Sequence, residues 1–274
     1  MTSIMEGAAG GGTSGRGTEQ PVRRRTPLRT SCAKPHNCPR PVRVAVLRHA
    51  PFFADLDPEA IDEVDAHVVA LAWEGGDAVY TQGEPGGYLY LVAHGQAKAY
   101  RDTADGRTVV VDLLAPGDIF GGFDALGRPE YGETVEAYDT LCALRISDTD
   151  FREIMVRYPE VALRVVDDLA AQLGDARTTS VHHRTRTVAE RVAATLLRIS
   201  DRFGEARSGF GGGDEEGTLL QLPLTRADLA GMTGSTPESV SRVMSRLKRE
   251  GIIDSGRRWT AVLDRDRLAD IAGG

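Results

Sequence analysis

The chain has 274 residues, 33 Lys plus Arg against 40 Asp plus Glu, and a formal net charge of -7. That length has room for two modest domains and tails, and no apolar run reaches the roughly eighteen residues of a membrane-spanning helix. The N-terminus lacks the apolar core of a secretion signal, so a cytoplasmic location is expected. The overall acidity neither supports nor excludes a nucleic-acid partner. Residues 221–274 carry nine basic against seven acidic side chains, so the C-terminal end is locally basic. Three cysteines argue against a disulfide framework and leave metal or redox roles open.

In chain order, residues 1–30 are rich in Gly, Ser, Thr and Arg, including the run Arg23-Arg24-Arg25. They cannot bury a core, so they read as disordered. Next, Cys32 and Cys38 flank His36 in a compact loop of soft ligands. A capped helix follows over Asp57–Val68, with Asp57 as cap and Pro58 at its first position. Residues 47–153 then read as many short strands, among them Leu71–Trp73, Ala78–Tyr80, Tyr88–Val92, Ala97–Arg101, Thr108–Leu113, Thr134–Ala137 and Thr140–Ile146. Glycine turns punctuate them, and Asp105-Gly106 is a hairpin signal. Closely spaced strands of this kind predict a small barrel or jelly roll. The third cysteine, Cys142, lies in the last strand.

A helix begins at Asp148 and a longer one at Pro159. Along the second, Ala162, Val166, Leu169, Leu173, Ala176 and Ser180 recur at alternating steps of four and three. This heptad seam has its own copy as natural partner. Ala176 and Ser180 bury little, so dimerisation through it is expected to be conditional. Thr187–Phe203 reads as the next helix, with Val188, Val192, Leu196 and Ile199 inward. Gly204–Gly217 reads as a flexible loop, and Thr218–Leu222 as a strand.

The stretch Leu224–Asp254 carries the chemistry. Thr225 caps a short helix with Leu229 and Met232 apolar, and Thr233-Gly234-Ser235 is a turn cluster. Thr236 caps a second helix, Pro237 suits its first position, and Glu238 favours its positive end. Val240, Val243, Met244 and Leu247 share one face; Glu238, Ser241, Arg242 and Ser245 share the other. That polar face suits a DNA major groove, because Arg can fork guanine, Glu can accept from cytosine N4, and Ser can do either. Ser235 and Thr236, at the turn and helix start, join them as candidate DNA contacts. Gly251–Leu263 reads as a two-stranded wing.

Thr225–Gly273, with its Glu238-Ser-Val-Ser241-Arg242 core, resembles the DNA-binding domain of CRP/FNR-type bacterial transcription regulators, closest to the FNR branch. The strand-rich block resembles the cyclic-nucleotide-binding-type β-roll of the same family, through Gly83-Glu84, Tyr88–Val92, Gly95, the Asp105-Gly106-Arg107 hairpin and Pro116–Gly121. Together the two resemblances cover about residues 45–273. They imply an α+β architecture: a tail with its cysteine loop over 1–44, a β-roll (jelly roll) sensor over 45–156, a long dimerisation helix over 157–184, and a winged helix-turn-helix over 185–274. They also imply that Glu238, Ser241 and Arg242 read a TTGAT-like half-site, that a homodimer reads the inverted pair in double-stranded DNA, and that RNA polymerase is a partner.

The effector implied follows from the departures. Cyclic-nucleotide binders of the family place a Gly-Glu-Leu after the turn and later an Arg-Ser pair against the cyclic phosphate. Here the first slot holds Gly121-Gly122-Phe123, and the second offers Glu133, which repels phosphate. The FNR branch instead holds a [4Fe–4S] cluster on four cysteines. Cys32, Cys38 and Cys142 fall at three of those positions, while Arg29 occupies the first. For the fourth ligand His36, an external thiol and a carboxylate stay open, as does a three-iron cluster. A reversible disulfide, haem through His67 or His94, and no cofactor are the alternatives. No nucleophile–base set stands out, so no enzymatic activity is expected. Two rival functions remain: a cyclic-nucleotide-responsive regulator of the same fold, and a ligand-binding protein-interaction module that does not bind DNA.

Overall fold

The computed structural model describes residues 38–104, 108–121, 130–210, 215–256 and 258–273. The expected tail of residues 1–30, Cys32, His36, the Asp105-Gly106 turn and the Gly122-Phe123 slot lie outside the described residues. Helix α1 (Arg40–His49) opens at Pro39-Arg40-Pro41, where a missing amide costs nothing. It therefore starts inside the segment expected to be tail, held there by the fully buried Leu47 and by Arg43, whose Nε and Nη2 each donate to Asp65 at 2.8 Å. A turn of 3-10 helix (Pro51–Phe53) leads to α2 (Pro58–Ala66), where Asp57 accepts from the Ala60 amide as expected.

Eight strands follow: β1 (Val69–Trp73), β2 (Ala78–Tyr80), β3 (Tyr88–His94), β4 (Ala97–Asp102), β5 (Thr108–Leu114), β6 (Ile119–Phe120), β7 (Thr134–Ala137) and β8 (Leu141–Ser147). They form two four-stranded antiparallel sheets, ordered β1-β8-β3-β6 and β2-β7-β4-β5. This is the roll the sequence predicts. An aromatic core draws on both sheets: Tyr80 stacks on Tyr131 at 3.8 Å between centroids, and Tyr90 on Phe120 at 5.2 Å. A second core covers the other face of β1-β8-β3-β6 with Leu47, Phe52, Phe53, Ile61, Phe151 and Val161.

After the roll, Ser147 caps α3 (Asp148–Arg157), and α4 (Pro159–Thr185) runs for 27 residues. A capping box between Thr187 and Glu190 starts α5 (Val188–Phe203). Then come β9 (Gly204–Phe210), β10 (Glu215–Leu220), α6 (Arg226–Thr233), α7 (Pro237–Arg249), β11 (Ile253–Gly256), β12 (Trp259–Val262) and α8 (Arg265–Ala272). The flexible loop expected over Gly204–Gly217 is corrected here. It holds most of a β-hairpin, with Ala206 opposite Thr218 and Gly204 opposite Leu220. Buried Leu219 and Leu220 anchor β10, and β9 gains backbone partners by extending the sheet β11-β12-β10-β9.

The winged-helix core reaches into the roll. Val110 and Leu113 of β5 pack with Val192, Leu196, Ile199, Leu229 and Met244. The β4–β5 register shifts by one residue between Ala99 and Tyr100, which leaves Val111 as an extra residue in β5. Such a bulge bends the strand and re-aims its side chains, and so lets both Val110 and Leu113 serve this contact.

Candidate nucleic-acid interface and candidate metal ligands

The reading head is built by local hydrogen bonds. Thr225 Oγ1 accepts from the Asp228 amide at 3.0 Å, and Asp228 Oδ2 accepts from the Thr225 amide at 2.8 Å, which closes a capping box on α6. Gly234 ends that helix in the left-handed region (φ 55°), where a side chain would be strained, and Ser235 N donates back to Ala230 O at 2.9 Å. Thr236 then caps α7 through the Ser239 amide, with Pro237 in its first turn. Val240, Met244 and Leu247 are buried, and Val243 packs at the margin of the same core. The opposite face carries Glu238, Arg242 and Ser245 exposed and Ser241 half-buried.

The six candidate DNA contacts therefore divide. Glu238, Ser241, Arg242 and Ser245 line one open face of α7. The Ser235 hydroxyl is bonded to Thr233 Oγ1 at 2.7 Å, and Thr236 Oγ1 is spent on the cap, so both hold the turn. Glu238's own backbone amide and the Thr236 hydroxyl hold its carboxyl below the usual carboxylate range, and Arg242 adds to this. Glu238 is thus a committed acceptor and Arg242 a committed donor. Lys248 joins α7 to the wing, donating to Ser255 O at 2.7 Å and lying 2.8 Å from Asp254. Sequence reasoning missed Arg226, half-buried at the start of α6. Burial lowers its pKa, and it makes no ion pair among the described residues. Its position directly after the Thr225 cap was the available signal.

The helix-turn-helix is docked on the roll. Gly231 of α6 lies so close to β5 that a Cβ there would meet Val110 N at 3.0 Å and Val109 Cα at 3.2 Å. Beside it, Arg202 of α5 bonds Asp112 at 3.1 Å and Asp118 at 2.6 Å. Burial raises the Asp118 carboxyl even so, while the two carboxylates keep Arg202 charged. The Tyr138 hydroxyl is buried at the same junction without a hydrogen-bond partner among the described residues; burial, with Asp228 and Glu136 nearby, raises its pKa.

The long helix α4 has two faces. Val161 and Val165 are buried against the roll. From Val166 to Ser180 no described side chain is buried, and Val166, Leu169 and Leu173 are 61%, 41% and 53% exposed. Ala176 and Ser180 are exposed as well, so the expected seam is open from Val166 onward, while Ala162 at its start is half-buried. Leu163 (66%) and Val156 of α3 (83%) are further exposed apolar side chains that the heptad spacing did not select.

Of the expected metal ligands, Cys38 and Cys142 are described. Both are buried. Cys38 packs in the cluster with Leu144 and Ile146 of β8. Side chains alternate along a strand, so Cys142 points to that same side of the sheet. Arg43 Nη1 donates to the Cys38 carbonyl at 2.7 Å, while its other nitrogens bond Asp65, which is only 5% exposed. Among the described residues no three His, Cys, Asp or Glu side chains converge on a metal position. His67 bonds Asp150 at 3.0 Å and His94 lies exposed on β3, so these two do not come together. In the roll, Glu133 lies 3.8 Å from Arg101, so the charge expected to repel a phosphate is partly balanced.

A β-roll followed by a long helix and a winged helix-turn-helix with an open polar reading face defines a DNA-binding regulator with sensor and reader in one chain. Comparison with known proteins agrees with this. Residues 71–158 match the cyclic nucleotide-binding domain family, and residues 190–271 match the Crp-like helix-turn-helix domain family. The chain is 30% identical over 235 residues to the transcriptional activator protein FnrL of Cereibacter sphaeroides, covering 83% of this chain and 90% of that one. It is 28% identical over 228 residues to the cyclic AMP receptor protein of Thermus thermophilus, covering 83% and 99%. Among solved structures, FixK2 from Bradyrhizobium japonicum superposes with a TM-score of 0.64 at 26% identity, covering 74% of this chain and 96% of that one. The chain belongs to the CRP/FNR family of transcription regulators and is a DNA-binding protein.

Proposed function

We propose that the protein is a homodimeric regulator that binds an inverted-repeat operator, makes contact with RNA polymerase there, and takes its signal through Cys32, Cys38 and Cys142. The observation that carries the signal reading is the placement of two buried cysteines toward one side of the same sheet. In their chemistry these donors suit a [4Fe–4S] cluster, with Cys32 completing the thiol set and His36 as candidate fourth ligand. Such a cluster, when bound, supplies an oxygen-labile, redox-active group. The chain's own part is to present thiolates from α1's entry and from β8, in an apolar surround that limits water. A roll interior filled by Tyr80, Tyr90, Phe120 and Tyr131 weighs against a cyclic nucleotide as the effector.

In the DNA complex Arg242 forks a guanine, Glu238 accepts from a cytosine amino group, and Ser241 and Ser245 line the groove. Arg226 and the backbone amide at Thr236 serve phosphates. Two copies meet along Val166, Leu169, Leu173 and Ala176.

The test of the signal is a visible spectrum of protein purified without oxygen, with iron and sulfide assays, before and after air. A brown protein with a broad band near ~400 nm, as thiolate-to-iron charge transfer gives, that bleaches in air supports the cluster. A colourless, iron-free protein whose binding of cyclic AMP is measurable by calorimetry moves the signal to the nucleotide.

A further inference from the structure

Arg191 on α5 joins two helix ends. Its Nε donates to the Thr233 carbonyl at 2.7 Å, and its Nη1 donates to the Arg186 carbonyl at 2.6 Å. Thr233 is the last residue of α6, directly before the left-handed Gly234. Arg186 is the step between α4, which ends at Thr185, and the Thr187 cap of α5. Carbonyls at helix ends lack an intrahelical donor and sit at the negative end of the helix dipole. A guanidinium, with five donors in a fixed fork, can satisfy two of them at once, and an ammonium cannot hold that geometry.

On the other side of the step, the Glu190 carboxylate accepts from the Thr187 amide at 2.8 Å. The connection from α4 to α5 is therefore held at both of its residues. Through Arg191 the same hold extends to the turn that aims α7. Without it, α6 and α7 would stay folded on their own core (Leu229, Val240, Met244), but their angle to α4 would rest on the Arg186-Thr187 step and on the docking against β5.

We infer that Arg191 is a positioning residue for operator recognition: it fixes the reading head relative to the long helix, and so sets the half-site separation that a dimer accepts. This rests on the homodimer reading. In a two-fold dimer joined along α4, a small rotation at the step moves the two recognition helices relative to each other, and half-sites are met only about one helical turn of DNA apart.

The test uses the full chain and duplexes carrying two inverted TTGAT half-sites at a series of spacings, with sedimentation of each protein on and off DNA. Wild type is expected to sediment as a dimer on DNA and to prefer one spacing. Arg191→Ala is expected to lose about tenfold in affinity at that spacing, as for removal of a charged hydrogen bond, and less than about threefold at spacings two base pairs away, so that the preference flattens. Arg191→Lys keeps the charge without the fork and is expected to flatten the preference partly; it also serves should the alanine variant fail to fold. Equal losses at every spacing, or an unchanged preference in both variants, would overturn the inference while leaving the dimer intact. A wild-type monomer on DNA without spacing preference would overturn the homodimer reading itself, and the inference with it.

Discussion

Gly231→Val isolates the contact between reader and sensor. The added Cβ meets Val110 N at 3.0 Å and Val109 Cα at 3.2 Å, both backbone atoms that cannot rotate away. The valine methyls extend the overlap. Overpacking of this kind costs about 1–3 kcal/mol. Replacing a helical glycine by valine returns only ~0.4 kcal/mol of helix propensity. The balance, about 0.6–2.6 kcal/mol, is a shift of roughly threefold to seventyfold in the ratio of docked to undocked reader, at ~1.4 kcal/mol per tenfold. It falls on the docking because α6's own partners, Leu229 and Ala230, point into the winged-helix core. Hydrogen exchange read by mass spectrometry on the full chain is the assay. Peptides covering 108–114 and 226–233 are expected to exchange faster in the valine variant, with 190–199 unchanged. Gly231→Ala, where the propensity gain and the overlap nearly cancel, is expected to sit close to wild type. Wild-type protection in both peptides, or equal loosening throughout the winged helix, would refute the reasoning.

Arg242→Ala is expected to weaken operator binding by about 1–3 kcal/mol and to relax specificity at one guanine; unchanged affinity in a mobility-shift titration would remove direct readout by this side chain. Leu173→Glu places a charge on the open stripe of α4 and is expected to abolish dimers in sedimentation while leaving the melting temperature of the protomer nearly unchanged, since Leu173 is exposed there. Glu238 is held ionised by its own amide and the Thr236 hydroxyl. A lowered pKa favours the charged form, so discrimination at the cytosine it reads should be flat from neutral pH down through the usual carboxylate range, and should fall only below the depressed pKa. Loss of discrimination near the ordinary glutamate pKa, in a competition assay with base-substituted duplexes, would contradict this. Arg43→Ala frees the Cys38 carbonyl and leaves Asp65 buried without its main partner. Faster alkylation of Cys38 than of Cys142, measured by peptide mass spectrometry, is the expected result.

Much of this architecture was legible because capping chemistry is local. Asp57, Thr187, Thr225 and Thr236 each announce a helix start within a few residues, and each cap is made. The alternating strands and the wing were legible for the same reason. The hairpin over Gly204–Leu220 was not, because its glycines and charges read as loop and only pairing with β10 makes β9 a strand. Helix α1 was obscured by its proline-rich entry. What joins the two domains was beyond reach: Arg202 finds Asp112 and Asp118 across some ninety residues of sequence, and nothing near Gly231 announces that β5 will press against it. The thiol positions were legible only through resemblance, since spacing alone does not say that Cys38 and Cys142 face the same side.

Strand β5 is the last strand of its sheet, with an outer edge that no other strand pairs among the described residues. Helix α6 lies against it, with Gly231 close to the backbone of Thr108, Val109 and Val110. The reader thus also works as a cover for a row of backbone groups that would otherwise invite another strand to join. Any conformation in which the reader swings away bares that edge together with Val110 and Leu113. Such a state invites self-association unless a partner covers the strip, so the freedom of the reading head to move is bounded by solubility as well as by the strength of its docking.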